Sequence, residues 1–408
     1  MSLLDDARAL TEELVDLRHR LHRHPEIGLE LPLTQRTVLS ELDGLGLEIT
    51  TGRSCTSVTA VLRGGADPGP GAVGRPAVLL RGDMDALPVQ EEVEVPFRSE
   101  VPGVMHACGH DLHTTMLVGA ARVLASRREE LPGDVIFMFQ PGEEGFDGAS
   151  SMIAEGVLDA AGERPQAAYA LHVMSSLTPR GTVISRPGPL MAASDGLFVT
   201  VHGVGGHGSS PHTAADPIPA ACEMVLALQT ALGRSVSAFD SAVLTVGSLH
   251  AGTKRNVIPD TACFDATVRT FDPAVRDLVA RMCERVCQGV ASAHGVRAEA
   301  RFEAEYPVTV NDPVETAFAL GVAEEISGRD RVMQMPDPIA GAEDFSRVLA
   351  EVPGAMLFLG AMTQDTDPER APTIHSPRAS FDDGVLPQGT ALLASLATRR
   401  LSCELARD

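Results

Sequence analysis

Runs that are apolar at nearly every position alternate with amphipathic stretches along much of the chain. Ser57–Arg63, Ala77–Arg81, Asp134–Gln140 and Ala167–Val173 are strand-like runs of this kind. Strands without an apolar–polar alternation are buried on both faces, the habit of a largely parallel sheet between helix layers. Helical periodicity marks 2–22, 33–45, 112–127 and 149–155. The first helix is expected to stop before His24-Pro25, because the residue preceding a proline avoids helical angles. The stretch GGADPGPGAVGRP (64–76) reads as a loop.

From about 190 to 306 the rhythm changes. Strand Leu197–His202, helix Asp216–Leu232, strands Val243–Leu249 and Thr261–Thr270, helix Pro273–His294 and strand Arg297–Glu303 follow one another. That β-α-β-β-α-β order is ferredoxin-like. A helix at Pro313–Ser327, a strand at Ala355–Gly360 and a helix at Leu386–Arg400 then resume the earlier style. The expected fold class is therefore α/β, with residues 1–189 and 307–408 forming one domain and an α+β domain of residues 190–306 inserted into it. A length of 408 residues suits two cores better than one.

Composition adds mainly exclusions. Thirty-three basic against 55 acidic residues leave a formal charge of −22, which argues against nucleic acid or an anionic membrane as partner. The first residues form an acidic helix pattern rather than a signal peptide. No apolar run reaches the ~18 residues needed to span a bilayer. Seven cysteines, with no CxxC pair, argue against a disulfide framework, and a reducing cytoplasm is the expected location.

Candidate chemistry gathers at strand ends, where α/β sheets place their sites. RGDMDALP (81–88), MHACGHDLH (105–113), FQPGEEG (139–145) with ALHV (170–173), and IHSP (374–377) are the four clusters. Cys108 and His110 flank one glycine and can converge on a borderline-soft divalent ion. Glu143-Glu144 ends an apolar strand, where two adjacent carboxylates repel unless a metal takes one and leaves the other as a general base. Each alone has a plain alternative: a core cysteine, solvated loop acids, a packed histidine. Together, a thiolate, three imidazoles (His110, His172 and His375) and two carboxylates at sheet edges point to a metal hydrolase. Cys108 as a thiol nucleophile with His110 as base is the rival reading. Two residues apart in a tight turn, they are poorly placed for that bond.

These clusters, with HPE (24–26), GGHGSSPH (205–212), NVIPD (256–260), VRTFD (268–272) and GAEDFS (341–346), resemble the hippurate hydrolase and N-acyl-amino-acid amidohydrolase family of dinuclear metal peptidases, which includes auxin-conjugate hydrolases. The likeness runs from about residue 12 to 400. It implies metal ligation by Cys108, His110, Glu144, His172 and His375, with Glu143 as catalytic base. It further implies that Asp85 orients a ligand imidazole, that His207 stabilises the tetrahedral intermediate, and that Asn256 and Arg269 hold the substrate carboxylate. Gly341 would let its backbone approach the ligand. Where the broader clan has His-x-Asp, this chain has Asp83-Met84-Asp85, so Cys108 stands as the substitute ligand.

The implied cofactors are two divalent ions per subunit: zinc, manganese, nickel or cobalt. The inserted domain is implied to be a lid and dimerisation module, giving a homodimer or a dimer of dimers. The implied reaction is hydrolysis of the amide bond of an N-acyl amino acid. A dipeptidase or carboxypeptidase of the same clan is the alternative, and a non-catalytic binding homologue a more distant one. His22, His24, His106, His113 and His212 are read as structural.

Overall fold

The computed structural model describes residues 2–67, 74–363, 367 and 370–403, so part of the 64–76 loop lies outside the described residues. The chain divides into two units: residues 1–190, 310–337 and 347–408 in one, residues 191–309 and 338–346 in the other.

The large unit is built on an eight-stranded sheet. Its order is 48–51, 58–62, 134–140, 77–83, 167–174, 354–360, 183–185 and 332–334. The four central strands, Asp134–Gln140, Ala77–Asp83, Ala167–Met174 and Gly354–Gly360, run parallel. Their burial explains their composition, since all but the last residue of Ala167–Met174 are buried. Helices His110–Ser126 and Leu386–Leu401 pack on this sheet and on each other, and buried residues such as Leu80, Phe137, Tyr169 and Leu357 form the core. Arg81 lies opposite Ala170 in register, and Gln140 opposite Asp83. Asp83, Gln140 and His172 therefore lie together towards the C-terminal ends of the parallel strands.

Several elements differ from expectation. The first helix is two, Leu3–Ala9 and Thr11–Arg23, broken at Leu10. An exposed edge strand, Glu48–Thr51, and two three-residue strands, Val183–Ser185 and Val332–Gln334, complete the sheet without an apolar signal of their own.

The small unit carries a four-stranded antiparallel sheet in the order 242–251, 261–270, 193–202 and 297–306. Helices Pro217–Ser235 and Pro273–His294 cover one face through Phe264, Val268, Met224 and Met282. Strand Thr261–Thr270 alternates buried and accessible residues, as a sheet covered on one side requires. Chain order and strand order together are ferredoxin-like. Cys283 and Cys287 are buried in this core. Among the described residues no helix is long and apolar enough to cross a membrane.

Candidate metal centre

The site is assembled at the end of the large unit's parallel strands. Between Cys108 and His110, Gly109 adopts φ 86. A Cβ there would stand 2.4 Å from Val173 Cγ2, so only glycine permits both the left-handed turn and the close approach. His110 is then the first residue of its helix, and Cys108 and His110 are both buried.

Asp85 fixes the glutamate loop. Its Oδ1 accepts the amide of Glu143 at 3.0 Å and its Oδ2 that of Glu144 at 3.1 Å. The same Oδ1 lies 3.4 Å from His110 Nδ1. One buried carboxylate thus faces the imidazole and clamps the turn that carries both acids.

His172 donates its Nδ1–H to the Val173 carbonyl at 2.7 Å, which leaves Nε2 3.4 Å from Cys108 Sγ. His375 sits at φ 67 and is tied to Ala107 O through its amide at 2.9 Å. Its Nε2 is 3.1 Å from Glu144 Oε1.

Two three-donor groups result: Cys108, His110 and His172 in one, Cys108, Glu144 and His375 in the other. Within each, the ligand atoms lie within 4.8 Å of one another. The thiol belongs to both groups. Glu143 and Glu144 form a further group with His110. Donor chemistry fits a borderline-soft divalent ion. His110 supplies a test of that fit: it is buried, its Nδ1 has only the Asp85 carboxylate at 3.4 Å, and its Nε2 has no hydrogen-bond partner. A buried polar atom without a partner is costly unless something else satisfies it.

Electrostatics point the same way. Burial would depress the His110 pKa, but the carboxylates of Asp83, Asp85 and Glu144 outweigh it and raise it to about 10. Burial, with Glu144, Glu143 and Asp83 nearby, pushes the Cys108 thiol well above its usual range. Glu144 is held low despite its burial by His375 and His110. Burial and the neighbouring His113 hold His172 well below the usual imidazole range. The carboxylates around His110 thus favour positive charge at that position.

The remaining expected site residues lie in the small unit. His207 is exposed in a short ribbon, paired with Val257, and its Nδ1 accepts the Ser209 amide at 3.2 Å. Asn256 adjoins that ribbon, its carbonyl accepting the Gly208 amide at 2.9 Å. Arg269 lies on strand Thr261–Thr270 and donates to Thr267 Oγ1 at 2.7 Å and Val268 O at 3.0 Å. Gly341 is elsewhere in the unit, its carbonyl bonded to the Ala192 amide at 2.9 Å. His207 and Asn256 are therefore neighbours, whereas Arg269 and Gly341 stand on separate segments.

Of the histidines read as structural, His24 and His212 are exposed, and His22 is buried between Asp111 at 2.9 Å and Glu91 at 3.2 Å. Burial, outweighing Asp111, drives the His106 pKa to about 3. His113 is the one that sequence reasoning undervalued. It lies one helical turn after His110, the spacing that puts two side chains on one face.

Residues 79–399 match peptidase family M20/M25/M40. The chain is 38% identical over 392 residues to IAA-amino acid hydrolase ILR1-like 4 of Arabidopsis thaliana, covering 95% of this chain and 86% of that one. It is 35% identical over 404 residues to thermostable carboxypeptidase 2 of Saccharolobus solfataricus, covering 97% and 98%. Among solved structures, the YXEP protein of Bacillus subtilis, described as a dinuclear metal binding peptidase from the M20 family, matches with a TM-score of 0.82 at 31% identity. That match covers 97% of this chain and 99% of that one. With the family matched over most of its length and a dinuclear relative sharing its fold, the chain belongs to peptidase family M20/M25/M40 and is a metal-dependent hydrolase of amide bonds.

Proposed function

We propose that this chain hydrolyses the amide bond of N-acyl amino acids, releasing a carboxylic acid and a free amino acid. The observation that carries the reading is the glutamate pair: two adjacent acids fixed by one carboxylate beside two donor groups that share a thiol. Cys108, His110, Glu144, His172 and His375 are the proposed ligands, and Glu143 is the proposed base. Two divalent ions held there supply Lewis acidity to a water molecule and to the scissile carbonyl. A thiolate among nitrogen and oxygen donors favours zinc or nickel, with manganese and cobalt also compatible.

Glu143 takes the attacking water's proton and returns it to the departing amine. In this reading the small unit serves as lid and dimerisation module. Because His207 Nδ1 accepts a backbone amide, the neutral ring carries its proton on Nε2 and can donate to a developing oxyanion. We assign that role to His207 acting on substrate held by a homodimer partner. Asn256 and Arg269 are assigned the substrate carboxylate, and Gly341 a backbone approach to the ligand.

The names of the two enzyme relatives support an amide one carbon from a carboxylate. An acylated amino acid and a peptide C-terminus both present one. A panel of N-acetyl, N-benzoyl, fatty-acyl and indole-acetyl amino acids, with dipeptides, on metal-reconstituted enzyme tests the choice. Preferred turnover of N-acyl amino acids is expected. Dipeptides turned over better than every N-acyl amino acid would assign the chain to the peptidases instead.

A further inference from the structure

Asp83, His110 and His113 also bring ligand atoms within 4.8 Å of one another and could be taken for another metal group. Their hydrogen bonds say otherwise. His113 Nε2 accepts the Val173 amide at 2.8 Å, so that nitrogen is unprotonated and its lone pair is occupied. The proton then sits on Nδ1, which donates to Asp83 Oδ1 at 2.6 Å. Neither nitrogen is left for a metal. Asp83 is equally engaged, with Arg81 Nη1 on Oδ2 at 2.5 Å and the Thr114 hydroxyl on its carbonyl at 2.8 Å. Arg81 Nε is anchored in turn on Gln140 Oε1 at 2.9 Å. The side chains of His113, Asp83, Arg81, Thr114 and Gln140 are all buried.

Sheet geometry explains why a histidine is needed here. The ladder between Ala77–Asp83 and Ala167–Met174 ends at Arg81 and Ala170. Amides along a strand point alternately to either side, and Ala168 N already turns the other way, to Pro353 O. The Val173 amide therefore faces the side where the ladder has run out, and His113 takes it. The next group of the same residue, the Val173 carbonyl, accepts His172 Nδ1–H. One backbone residue thus joins the two imidazoles, whose ring centroids are 4.6 Å apart.

We propose that His113, locked by Asp83 and Arg81, is a positioning residue for the metal centre: it fixes Val173 so that His172 presents Nε2 towards Cys108. The inference rests on the proposed ligand role of His172 and Cys108. Groups that hold a ligand's orientation typically contribute 10–100-fold to metal affinity or activity.

The test compares His113→Phe, which keeps the ring's bulk and removes both nitrogens, with His113→Gln, whose side-chain carbonyl can still accept the Val173 amide. Asp83→Ala is the third variant. Each is loaded with cobalt(II), and affinity is measured by chelator competition alongside the thiolate-to-cobalt absorption band. His113→Phe is expected to lose 10–100-fold in affinity and to shift the band, with full stoichiometry regained at high cobalt. His113→Gln should recover most of the loss, and Asp83→Ala should fall between them.

Unchanged affinity and spectrum in His113→Phe would overturn the proposal. So would permanent loss of one ion with no rescue by glutamine, which would make His113 a ligand. Should His113→Phe not fold, Asp83→Ala and His113→Gln decide it, and identical wild-type behaviour in both refutes the relay. A wild-type protein with no thiolate band would refute the metal centre itself, whereas a normal band without turnover of N-acyl amino acids would refute only the substrate.

Discussion

Loading the metal centre should release protons in a number that the structure specifies. In the metal-free protein the Cys108 thiol is pushed well above its usual range, and His110 is raised to about 10 by the surrounding carboxylates, so both carry a proton at pH 8. His172 is held low and is neutral, and Glu144 is already ionised. An ion entering the Cys108–His110–His172 group must displace the first two protons, because ligands bind deprotonated. Removing the His110 proton alone at pH 8 costs ~3 kcal/mol, two pH units at 1.36 kcal/mol each. The sign follows: affinity rises with pH, by roughly two decades per unit while both groups are protonated. The slope falls to about one above pH 10, where His110 is already neutral in the apo form. Isothermal titration of zinc into apo-protein, in buffers of different ionisation enthalpy, counts the protons directly. About two per first ion are expected at pH 8. Release of about one proton would remove Cys108 or His110 from the ligand set, and release near zero, with affinity flat from pH 7 to 9, would remove both.

The other expectations concern single residues. Glu143→Gln should keep both ions and lose ~10²–10⁴-fold or more in turnover, and a wild-type rate with this variant would remove Glu143 from the mechanism. Cys108→Ala should lower bound metal after dialysis and activity together, since one thiolate serves both donor groups. Arg269→Ala and Asn256→Ala should impair an N-acyl amino acid about ten- to a hundredfold more than its carboxamide, in keeping with ~1.5–3 kcal/mol for a charge-assisted hydrogen bond. Equal losses would leave Arg269 with only its bonds to Thr267 and Val268. Inactive Glu143→Gln and His207→Ala subunits, mixed under exchange conditions, should regain an appreciable fraction of wild-type activity; verified heterodimers without recovery would confine His207 to its own subunit or to no role.

The sheet's centre was legible because burial on both faces writes itself into composition. Asp134–Gln140, for instance, keeps five apolar residues in a row between two buried polar ends. Its margins were not. Glu48–Thr51 is accessible at every position and joins the sheet by antiparallel pairing with Val58–Val61, a contact that leaves no periodic trace. The break at Leu10 was hidden too, because both halves of the N-terminal helical run carry a helical pattern. Leu3–Ala9 packs on helix Leu386–Leu401, a contact between the two ends of the chain that no local pattern announces.

The candidate donors stood out for a different reason. A cysteine, histidine or glutamate at a strand end has a plain structural use when taken alone, and only the combination raises the question of a metal. What surrounds them is harder to read, because an orienting group is defined by the backbone atom it meets. The family resemblance gave Asp85 an imidazole to orient, yet its two amide bonds reach 58 and 59 residues along the chain. His113 offers only its spacing from His110, while its partners, the Val173 amide and the Asp83 carboxylate, lie 60 residues ahead and 30 behind. Gly109 is the intermediate case. Its presence between two donors suggests a turn, but the reason no other residue would serve is the methyl group of Val173, on the residue whose peptide groups His113 and His172 share. Val173 thus closes the turn that presents Cys108 and carries the amide and the carbonyl that orient its partner imidazole, a role that its apolar side chain in an apolar strand gave no means of anticipating.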